Sequence, residues 1–436
     1  LMKMLILLPK RKSIKLKIVK NWKLKISFLF MSKKNFIQVF EYQKLKYDEN
    51  QDFKKHHFDA MVLFNEKNQN KYFTIVHKGV LFNSYVGVIQ IGGLTIEILP
   101  KADNSNNPDK STWQKVLLNM LKVCKHIQVD TVSETNLNKK YNSILEVYFE
   151  MYLNEVESLV KKGLIKKYRK IQSNQNALKG KLVFSKNIQK NLIHKERFYC
   201  EHKLYDKNHL IHQILFRGLL ILKDLVNNNL KDKLNRVLFE FQDYQQVMIN
   251  KNHFDKLVND RKTQPYLKAI EIAKMLILNY SPNLNSGNDN MLTLLFDMNK
   301  LWEEYIYRIL QRHKPNGYEV SFQNTDKFWE HKTIRPDIVI KNEQNENFVI
   351  DTKWKIINAN NPSDDDLKQM FTYNLHWNAE KTILLYPKIN QEDSKFGEYH
   401  YNKLNKKCKL GFVSIKEENN IIYEKIIAKN IFNKLI

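Results

Sequence analysis

The stretch that decides the fold is Pro336–Lys353, with the sequence PDIVIKNEQNENFVIDTK. Two short apolar runs, IVI and FVI, flank the polar and turn-like segment KNEQNEN, which predicts two strands paired as a hairpin. Side chains two residues apart in a strand share a face, so Asp351 and Lys353 should point together. The hairpin should also bring Asp337 beside them. The sequence therefore predicts two carboxylates and an ammonium group at one spot of an otherwise apolar sheet.

This cluster suggests a metal site. Carboxylates among apolar strands are costly unless they are paired or bind a metal, and hydrolysis of a phosphodiester would give them a role. Mg²⁺ typically takes one or two carboxylates together with waters and substrate oxygens, and Asp337, Asp351 and the backbone carbonyl of Thr352 form such a ligand set. Lys353 is then the candidate to orient the attacking water and stabilise charge on the phosphate. The alternative interpretation is an ion pair between Asp351 and Lys353 on a half-exposed strand, because D-x-K alone is common.

The elements predicted around the hairpin favour the metal site, since a motif needs its structural context. Ser363 followed by three aspartates is typical of a helix N-terminus, where unpaired N–H groups favour acids. In chain order, the prediction is a helix, three strands, a second helix and a fourth strand: Leu292–Arg312, Tyr318–Phe322, Ile334–Ile340, Phe348–Ile357, Ser363–Trp377 and Thr382–Tyr386.

Length and composition limit the class of protein. At 436 residues the chain should form two or three domains, and 43% hydrophobic residues with 12% aromatic exclude an intrinsically disordered chain. Its three cysteines lie far apart, which excludes a disulfide framework and a cysteine-rich zinc module. A reduced, cytoplasmic protein is expected. No apolar stretch approaches the roughly 18 residues of a membrane span, so no membrane partner is expected.

Net charge is the strongest feature of the composition. The formal charge of +26 favours a polyanionic partner such as nucleic acid, although lysine-rich codon usage in an AT-rich genome would also raise it. The segment 161–190 holds ten Lys or Arg and no acid, so it either tracks DNA phosphates or forms a solvated helix face plus loop. The candidate phosphate contacts are Lys166, Lys167, Arg169, Lys170, Lys179 and Lys181.

Changes of pattern along the chain divide it into four parts. Polar segments at 102–111 and 281–290 are the predicted linkers, and Phe36–Lys101 carries a β pattern. The basic segment before Met31 is either an arm for DNA or a tail ahead of the true start. The predicted parts are a basic extension outside the fold (1–30), a β-rich module (31–110), a mainly helical basic region (111–285) and the domain that carries the acids (286–436).

Several segments resemble one known family over nearly the whole chain. The core motif is similar to that of the PD-(D/E)xK nuclease superfamily, and the further motifs resemble McrC, the nuclease-subunit family of McrBC restriction systems. These motifs are FDMNKLWE at Phe296–Glu303, DLKQMFTY at Asp366–Tyr373, VGVI at Val86–Ile89, IEILPK at Ile96–Lys101, Gly163-Leu164 with Tyr168, and LKGK at Leu178–Lys181.

The resemblance implies an α+β multidomain fold with a β-rich N-terminal module, a helical middle region and a C-terminal restriction-endonuclease-like core. It implies Asp337, Asp351 and Lys353 as the catalytic triad. Glu303 would help to hold the metal, unless it is an exposed helix charge. Gln369 and Tyr373 would contact the active site or DNA, unless they only form the polar edge of a buried helix.

The resemblance also implies a function, that of the Mg²⁺-dependent DNA endonuclease subunit of a GTP-dependent, 5-methylcytosine-directed restriction complex. An AAA+ GTPase partner would bind GTP, read the modified double-stranded DNA and translocate it, and the β-rich module (31–110) would dock on that partner. Consistent with this division, the sequence holds no G-x-x-x-x-G-K-[ST] motif. Two alternatives remain open: a nuclease that acts alone, and a non-catalytic adaptor that stimulates the GTPase.

Overall fold

The structure, a computed structural model, describes residues 35–102, 109–127, 143–226, 228–241, 244, 246–281, 290–357, 361–388, 392–400, 405–417 and 420–435. The extension predicted at 1–30, the start predicted at Met31 and most of both predicted linkers lie outside these residues. The described residues form an α+β fold of several sheets and eleven helices. Among these helices, none combines the length and the apolar character that crossing a bilayer requires.

The N-terminal unit contains two small sheets and one helix. Its elements are β1 (Asn35–Phe40), β2 (Lys44–Lys46), α1 (Lys55–Lys67), β3 (Phe73–Val76), β4 (Gly79–Phe82), β5 (Tyr85–Ile91) and β6 (Leu94–Leu99). The tight turn predicted at Gly92-Gly93 is confirmed, because Ile91 pairs with Leu94 across it. The prediction of continuous β structure is wrong at α1. There Ala60, Met61 and Phe64 follow helical spacing and are buried in the core of this unit.

The middle region is mainly helical, as predicted, but it also contains a sheet. Its elements are α2 (Lys110–Val123), α3 (Ile144–Lys162), β7 (Lys167–Gln175), β8 (Lys181–Leu182), α4 (Phe184–Asn191), β9 (Phe198–Asp206), α5 (Leu210–Leu225), α6 (Asn228–Phe239), α7 (Lys251–Asp255) and α8 (Leu267–Leu278). The interpretation of 161–190 as a helix face plus loop is wrong at Lys167–Gln175 and at Lys181–Leu182. These residues form β7 and β8, which pair with β9 in the sheet β7-β9-β8. Along β7, half-buried and exposed residues alternate with the period of two that a strand imposes.

Two strands from far along the chain complete the N-terminal sheet. They are β10 (Tyr280–Ser281) and β11 (Met291–Asp297), and the strand order is β1-β6-β5-β11-β10. The helix predicted from Leu292 is therefore wrong in its first turns, because this apolar run pairs antiparallel with β5. The two backbones approach closely at Gly87, where φ is +133° and a Cβ atom would overlap the carbonyl oxygen of Leu294. Only glycine fits such a position without strain.

A buried carboxylate joins this sheet to the helices. Glu97, on β6, is fully buried and its pKa is raised by that burial. It accepts hydrogen bonds from Gln38 Nε2 (2.8 Å), Gln114 Nε2 (2.7 Å) and the backbone N–H of Ile144 (2.9 Å). Because these donors come from β1, α2 and the first residue of α3, Glu97 fixes both helices against the sheet.

The C-terminal unit is built on a six-stranded sheet. Its elements are α9 (Met298–His313), β12 (Glu319–Phe322), β13 (Asp326–Trp329), β14 (Lys332–Ile334), β15 (Ile338–Lys341), β16 (Asn347–Thr352), α10 (Asp364–His376), β17 (Lys381–Pro387), β18 (Gly397–Glu398), β19 (Lys407–Val413), β20 (Lys416–Glu417), β21 (Asn420–Ile421) and α11 (Glu424–Leu435). The strand order is β12-β15-β16-β17-β19-β18. The pair β15–β16 is the predicted antiparallel hairpin, whereas β16, β17 and β19 run parallel.

Both faces of this sheet are buried, because alternate apolar residues of its strands belong to two different cores. Ile338, Ile340 and Ile350 belong to the core that contains α9 and α11. Val339 and Val349 belong to the core that contains α10. This alternation is the period expected for a strand covered on both sides.

Several predicted boundaries in this unit need correction. The strand predicted at Ile334–Ile340 is two strands, β14 and β15, because Pro336 lies between them and cannot donate a ladder hydrogen bond. The prediction also omitted the hairpin β13–β14, and β16 ends at Thr352 rather than at Ile357. The helix start is confirmed, since the side chain of Ser363 caps α10 by accepting from the backbone N–H of Asp366.

Candidate active site

The hairpin β15–β16 places the two predicted acids at one edge of the sheet. Ile338 pairs with Ile350, so Asp337 and Asp351 each lie one residue further toward the same end of the hairpin. Asp337 Oδ2 accepts hydrogen bonds from the backbone N–H of Thr352 (2.7 Å) and from its Oγ1 (3.0 Å). These bonds fix the carboxylate of Asp337 against the end of β16.

Lys353 completes the cluster, as the strand alternation predicted. Its Nζ lies 2.6 Å from Asp351 Oδ2 and 3.5 Å from Asp366 Oδ1. Its backbone N–H donates to the carbonyl of Leu385 on β17 (2.9 Å), so the main chain at Lys353 is still held by the sheet. Asp351 is 2% exposed, whereas the lysine side chain is 24% exposed and reaches toward solvent.

The electrostatics show that one lysine does not neutralise this cluster. Burial raises the pKa of Asp351, and the charge of Asp337 raises it further against the opposing effect of Lys353. Burial and the charge of Glu303 likewise raise the pKa of Asp337. Burial alone would lower the pKa of Lys353, but the charges of Asp351 and Asp366 outweigh it and raise the pKa. The ammonium therefore stays protonated, while the acids retain unbalanced negative charge.

The donor set fits a hard dication. All candidate ligands are oxygens, and two carboxylates that repel each other in a buried place would be stabilised by a divalent cation between them. Nowhere in the described part of the chain do three acidic, histidine or cysteine side chains lie close enough together to hold one ion. Asp337 and Asp351 match the one or two carboxylates that a Mg²⁺ site takes beside its waters.

Glu303 lies beside the two acids without joining their hydrogen bonds. It projects from the second turn of α9, where it is half-buried, and its Oε2 accepts from Gln323 Nε2 at 3.3 Å. Burial raises its pKa despite this bond, and the charge of Asp351 adds to the effect. Of the two interpretations left open by the sequence, the exposed helix charge does not describe this position.

Gln369 and Tyr373 connect Lys353 to the chain before Asp337. Lys353 Nζ donates to Gln369 Oε1 (3.3 Å), and Gln369 Nε2 donates to the hydroxyl of Tyr373 (2.7 Å). That hydroxyl donates to the carbonyl of Arg335 (3.0 Å). Burial, with the charge of Asp351, raises the pKa of Tyr373 to about 12, so it remains a donor. The pair at i and i+4 thus faces the acidic cluster rather than forming a separate polar edge.

Sequence reasoning missed two contributors to the site, Asp366 and Lys355, and one contact behind it. Asp366 was assigned no role in the site, yet it contacts Lys353 and accepts from Lys355 Nζ at 2.7 Å. Burial would raise its pKa, but the bonds from Lys355 and Ser363 lower it. The contact behind the site is made by Glu41, which accepts a hydrogen bond from Trp354 Nε1 at 2.6 Å. The DxxQMxxY segment offered a signal for Asp366, whereas no local pattern could link residues 41 and 354.

The predicted phosphate contacts lie elsewhere, on or beside the sheet β7-β9-β8. Arg169 forms a two-pronged ion pair with Asp206 (2.7 to 3.1 Å), and Lys167 lies 3.3 Å from Asp260. The other four residues (Lys166, Lys170, Lys179 and Lys181) belong to the same segment of the chain. The fold does not bring these six side chains into the hydrogen-bonded cluster around Asp351.

Comparisons with known proteins agree with this architecture. A chain in the refined half-complex of Thermococcus gammatolerans McrB AAA+ hexamers with bound McrC matches with a TM-score of 0.70 and 18% identity. That match covers 92% of this chain and 100% of the other, and at this identity it shows the fold alone. A chain of the Thermococcus gammatolerans McrBC complex matches with a TM-score of 0.49 and 18% identity, covering 65% and 89%. No curated protein matches.

A protein-family model gives the stronger result. The model described as "McrBC 5-methylcytosine restriction system component" matches residues 80–387. This span begins in β4, includes the middle region and ends with β17, so it contains all the residues of the acidic cluster. Because the match covers well over half of the sequence and includes the edge where Asp337, Asp351 and Lys353 meet, the chain belongs to the McrBC family of restriction system components.

Proposed function

We propose that this chain is the DNA endonuclease subunit of a GTP-dependent, 5-methylcytosine-directed restriction complex of the cytoplasm. The observation that carries the proposal is the convergence of Asp337, Asp351 and Lys353 at the end of one hairpin. The order of α9, β12, β15, β16, α10 and β17 supports a PD-(D/E)xK nuclease core around them. Membership of the McrBC family supports the same reaction class.

The residues divide the chemical work between binding and charge stabilisation. Asp337, Asp351 and the backbone carbonyl of Thr352 would hold Mg²⁺, which when bound polarises the scissile phosphate and acidifies a water molecule. Lys353 remains protonated beside Asp351 and Asp366. Its ammonium is placed to orient the attacking water and to donate to phosphate oxygens that gain negative charge. Glu303 adds negative charge nearby from α9, which would further favour a cation at this place.

Gln369 and Tyr373 are positioning residues in this proposal. The chain of hydrogen bonds from Lys353 through Gln369 and Tyr373 to the Arg335 carbonyl limits the rotamers open to the lysine. A fixed ammonium stabilises the transition state more than a mobile one does, because it needs no reorganisation when charge develops on the phosphate.

An AAA+ GTPase ring is the proposed partner. The protein in the matching half-complex is described as McrC bound to McrB AAA+ hexamers, and the match covers 92% of this chain. We extend that kind of partner to this chain, with GTP bound by the partner and the unit at 31–110 docking on the ring. Double-stranded methylated DNA is the substrate, and Lys166, Lys170, Lys179 and Lys181 are candidates for contacting its phosphates.

Cleavage of methylated plasmid DNA in Mg²⁺ tests this proposal. The chain is assayed alone and with its GTPase subunit and GTP, and Asp351→Asn is compared with Asp365→Asn. Asp365 is a matched control because it is an acid of α10 whose side chain is 96% exposed. Cutting should occur only in the full mixture, be lost in Asp351→Asn and persist in Asp365→Asn.

Other results would overturn parts of the proposal. Cutting by the chain alone would favour an independent nuclease. No cutting in any mixture, with GTP turnover still stimulated, would favour a non-catalytic adaptor. Normal cutting by Asp351→Asn would show that the cluster around Asp351 is not the active site.

A further inference from the structure

The hairpin β13–β14 projects from the molecule next to the acidic cluster. All four residues of β13 and two of the three residues of β14 are exposed, and the strands pair only with each other. Isolated two-stranded hairpins are marginally stable in water. Ile334, the last residue of β14, packs against the core that contains α10, whereas the exposed residues of both strands cover no core. A hairpin that projects in this way is typical of an element that contacts something else.

Two neighbouring aromatic rings lie near the tip of this hairpin. Phe328 is 57% exposed and Trp329 is 62% exposed, just before the turn at Glu330 and His331. The strand register shifts between Lys327 and Trp329, which leaves Phe328 without a partner across the hairpin. Such bulges redirect side chains. Large rings exposed to water on two consecutive residues indicate a binding surface rather than a folding contact.

The base of the hairpin is fixed to the proposed active site. The end of β14 is only three residues before Asp337, and the Tyr373 hydroxyl holds the Arg335 carbonyl between them (3.0 Å). On the other strand, Asp326 Oδ2 lies 3.0 Å from His376 Nε2 at the end of α10. Strands rise about 3.3 Å per residue, and the turn at His331 is four residues before Arg335, so the tip lies up to about 13 Å from Arg335. A DNA duplex with its scissile phosphate at Asp351 would meet this tip in a neighbouring groove.

The charges around the rings favour DNA as the partner. Two lysines lie on the hairpin, since Lys332 pairs across it with Trp329 and Lys327 pairs with Thr333. A third basic residue, Arg335, comes directly after the last residue of β14. Of the two acids in the hairpin, Asp326 is engaged by His376. Aromatic rings flanked by lysines suit a groove wall, because the rings pack on bases while the ammonium groups contact phosphates on either side.

We propose that the hairpin Asp326–Ile334 is a DNA-contacting element beside the active site. In it, Phe328 and Trp329 pack against bases in a groove, and Lys327 and Lys332 bind the adjacent phosphates. This inference rests on the proposed nuclease function, and it names the residues that position the duplex over Asp337 and Asp351. The hairpin residues are therefore positioning and binding residues, and they take no part in the chemical step.

Tryptophan fluorescence gives a direct test with the full chain. Among the tryptophans that the structure describes, Trp113, Trp302 and Trp354 are buried and Trp377 is half-buried, so Trp329 should report contact at the hairpin. The chain is titrated with an unlabelled double-stranded oligonucleotide at low salt in EDTA, where it cannot cut. Wild type should show quenching on binding. Trp329→Phe should lose this signal while keeping its affinity, which is measured separately by anisotropy of a labelled duplex.

The double variant Phe328→Ala/Trp329→Ala should bind the same duplex at least about tenfold more weakly, as expected when base–aromatic contacts are removed. Its melting temperature should match that of wild type, because both rings are exposed and belong to no core. Phe239→Ala is the matched control, since Phe239 is an equally exposed ring (66%) at the end of α6 and should leave binding unchanged.

The outcomes separate this inference from the proposed function. Binding by wild type without quenching of Trp329, no binding at all, or unchanged affinity in the double variant would overturn the inference. If the double variant binds DNA as wild type does but no longer assembles with the GTPase subunit, the inference is also overturned. The hairpin would then be a protein-docking surface. If instead the hairpin binds DNA as expected but wild type never cuts in the full mixture, the proposed nuclease function fails and the hairpin assignment stands.

Discussion

Replacing Glu41 by glutamine should make the stability of the fold less dependent on pH. Glu41 follows β1 directly and is only 4% exposed. Its Oε1 accepts hydrogen bonds from Trp354 Nε1 (2.6 Å) and from the backbone N–H of Lys101 (2.9 Å). Burial raises its pKa from 4.5 to about 7, and these two bonds only partly offset the rise. Glutamine keeps the accepting oxygen and removes the ionisable group.

The expected magnitude follows from this raised pKa. As the pH rises, the unfolded chain ionises at Glu41 first, so the stability from this group is fully present below pH 4.5 and is lost as the pH passes about 7. The rise of the pKa corresponds to roughly 3 kcal/mol, most of which is lost between about pH 5 and pH 8. The free energy of unfolding of Glu41→Gln, minus that of wild type, should rise by this amount over the same range.

Urea unfolding followed by circular dichroism, in EDTA at a series of pH values, measures this difference. Comparing the variant with wild type cancels the other titrating groups, including Asp337 and Asp351. Glu66→Gln is the matched control because it makes the same substitution at an exposed position of α1. A difference between wild type and Glu41→Gln that stays constant from about pH 5 to pH 8 would refute the reasoning.

Three further predictions follow from the structure. Gly87→Ala should lower the free energy of unfolding by more than about 1 kcal/mol in urea titrations, because of its φ of +133° and its contact with β11. Gly163→Ala should lower the free energy of unfolding by less, because its φ is +88° but no atom lies within 4 Å of the added Cβ atom. Asp351→Asn in EDTA should melt at a higher temperature than wild type at about pH 8 and show a smaller gain at about pH 5, since its raised pKa penalises the ionised form. Tyr373→Phe should slow cleavage by about 10- to 100-fold in kcat, because the link from Lys353 to the Arg335 carbonyl is broken; unchanged kcat would make Tyr373 purely structural.

The centre of the site was predictable because its geometry is local. Asp351 and Lys353 are two residues apart in one strand, and Asp337 comes from the adjacent strand of a short hairpin. Strand alternation and one polar turn suffice to bring these three together, and both can be read from about twenty residues. The same reasoning succeeds for the Ser363 cap, which acts over three residues.

The sequence predictions fail where the structure of a segment depends on contacts with residues far away in the chain. The run at Met291–Asp297 is apolar enough for either a helix or a strand, and only its pairing with β5, some two hundred residues earlier, decides the question. The contact between Glu41 and Trp354 joins residues 313 positions apart, so no spacing rule could reveal it. The helix α1 differs, because its apolar spacing was present and was overlooked among strong β segments on both sides.

The Trp354 contact shows how the N-terminal sheet meets the C-terminal unit beside the candidate active site. Lys353 and Trp354 are adjacent, so the same extended backbone that points the lysine at Asp351 points the indole away from it. The indole packs on Trp302, the neighbour of Glu303 in α9, with ring centroids 5.2 Å apart, and it donates to Glu41 after β1. A shift of the N-terminal sheet relative to α9 would therefore move Trp354, and the backbone would carry that movement to Lys353. Since the N-terminal unit is the proposed docking surface for the GTPase ring, this pair of residues gives docking a short physical route to the cluster that is proposed to cut DNA.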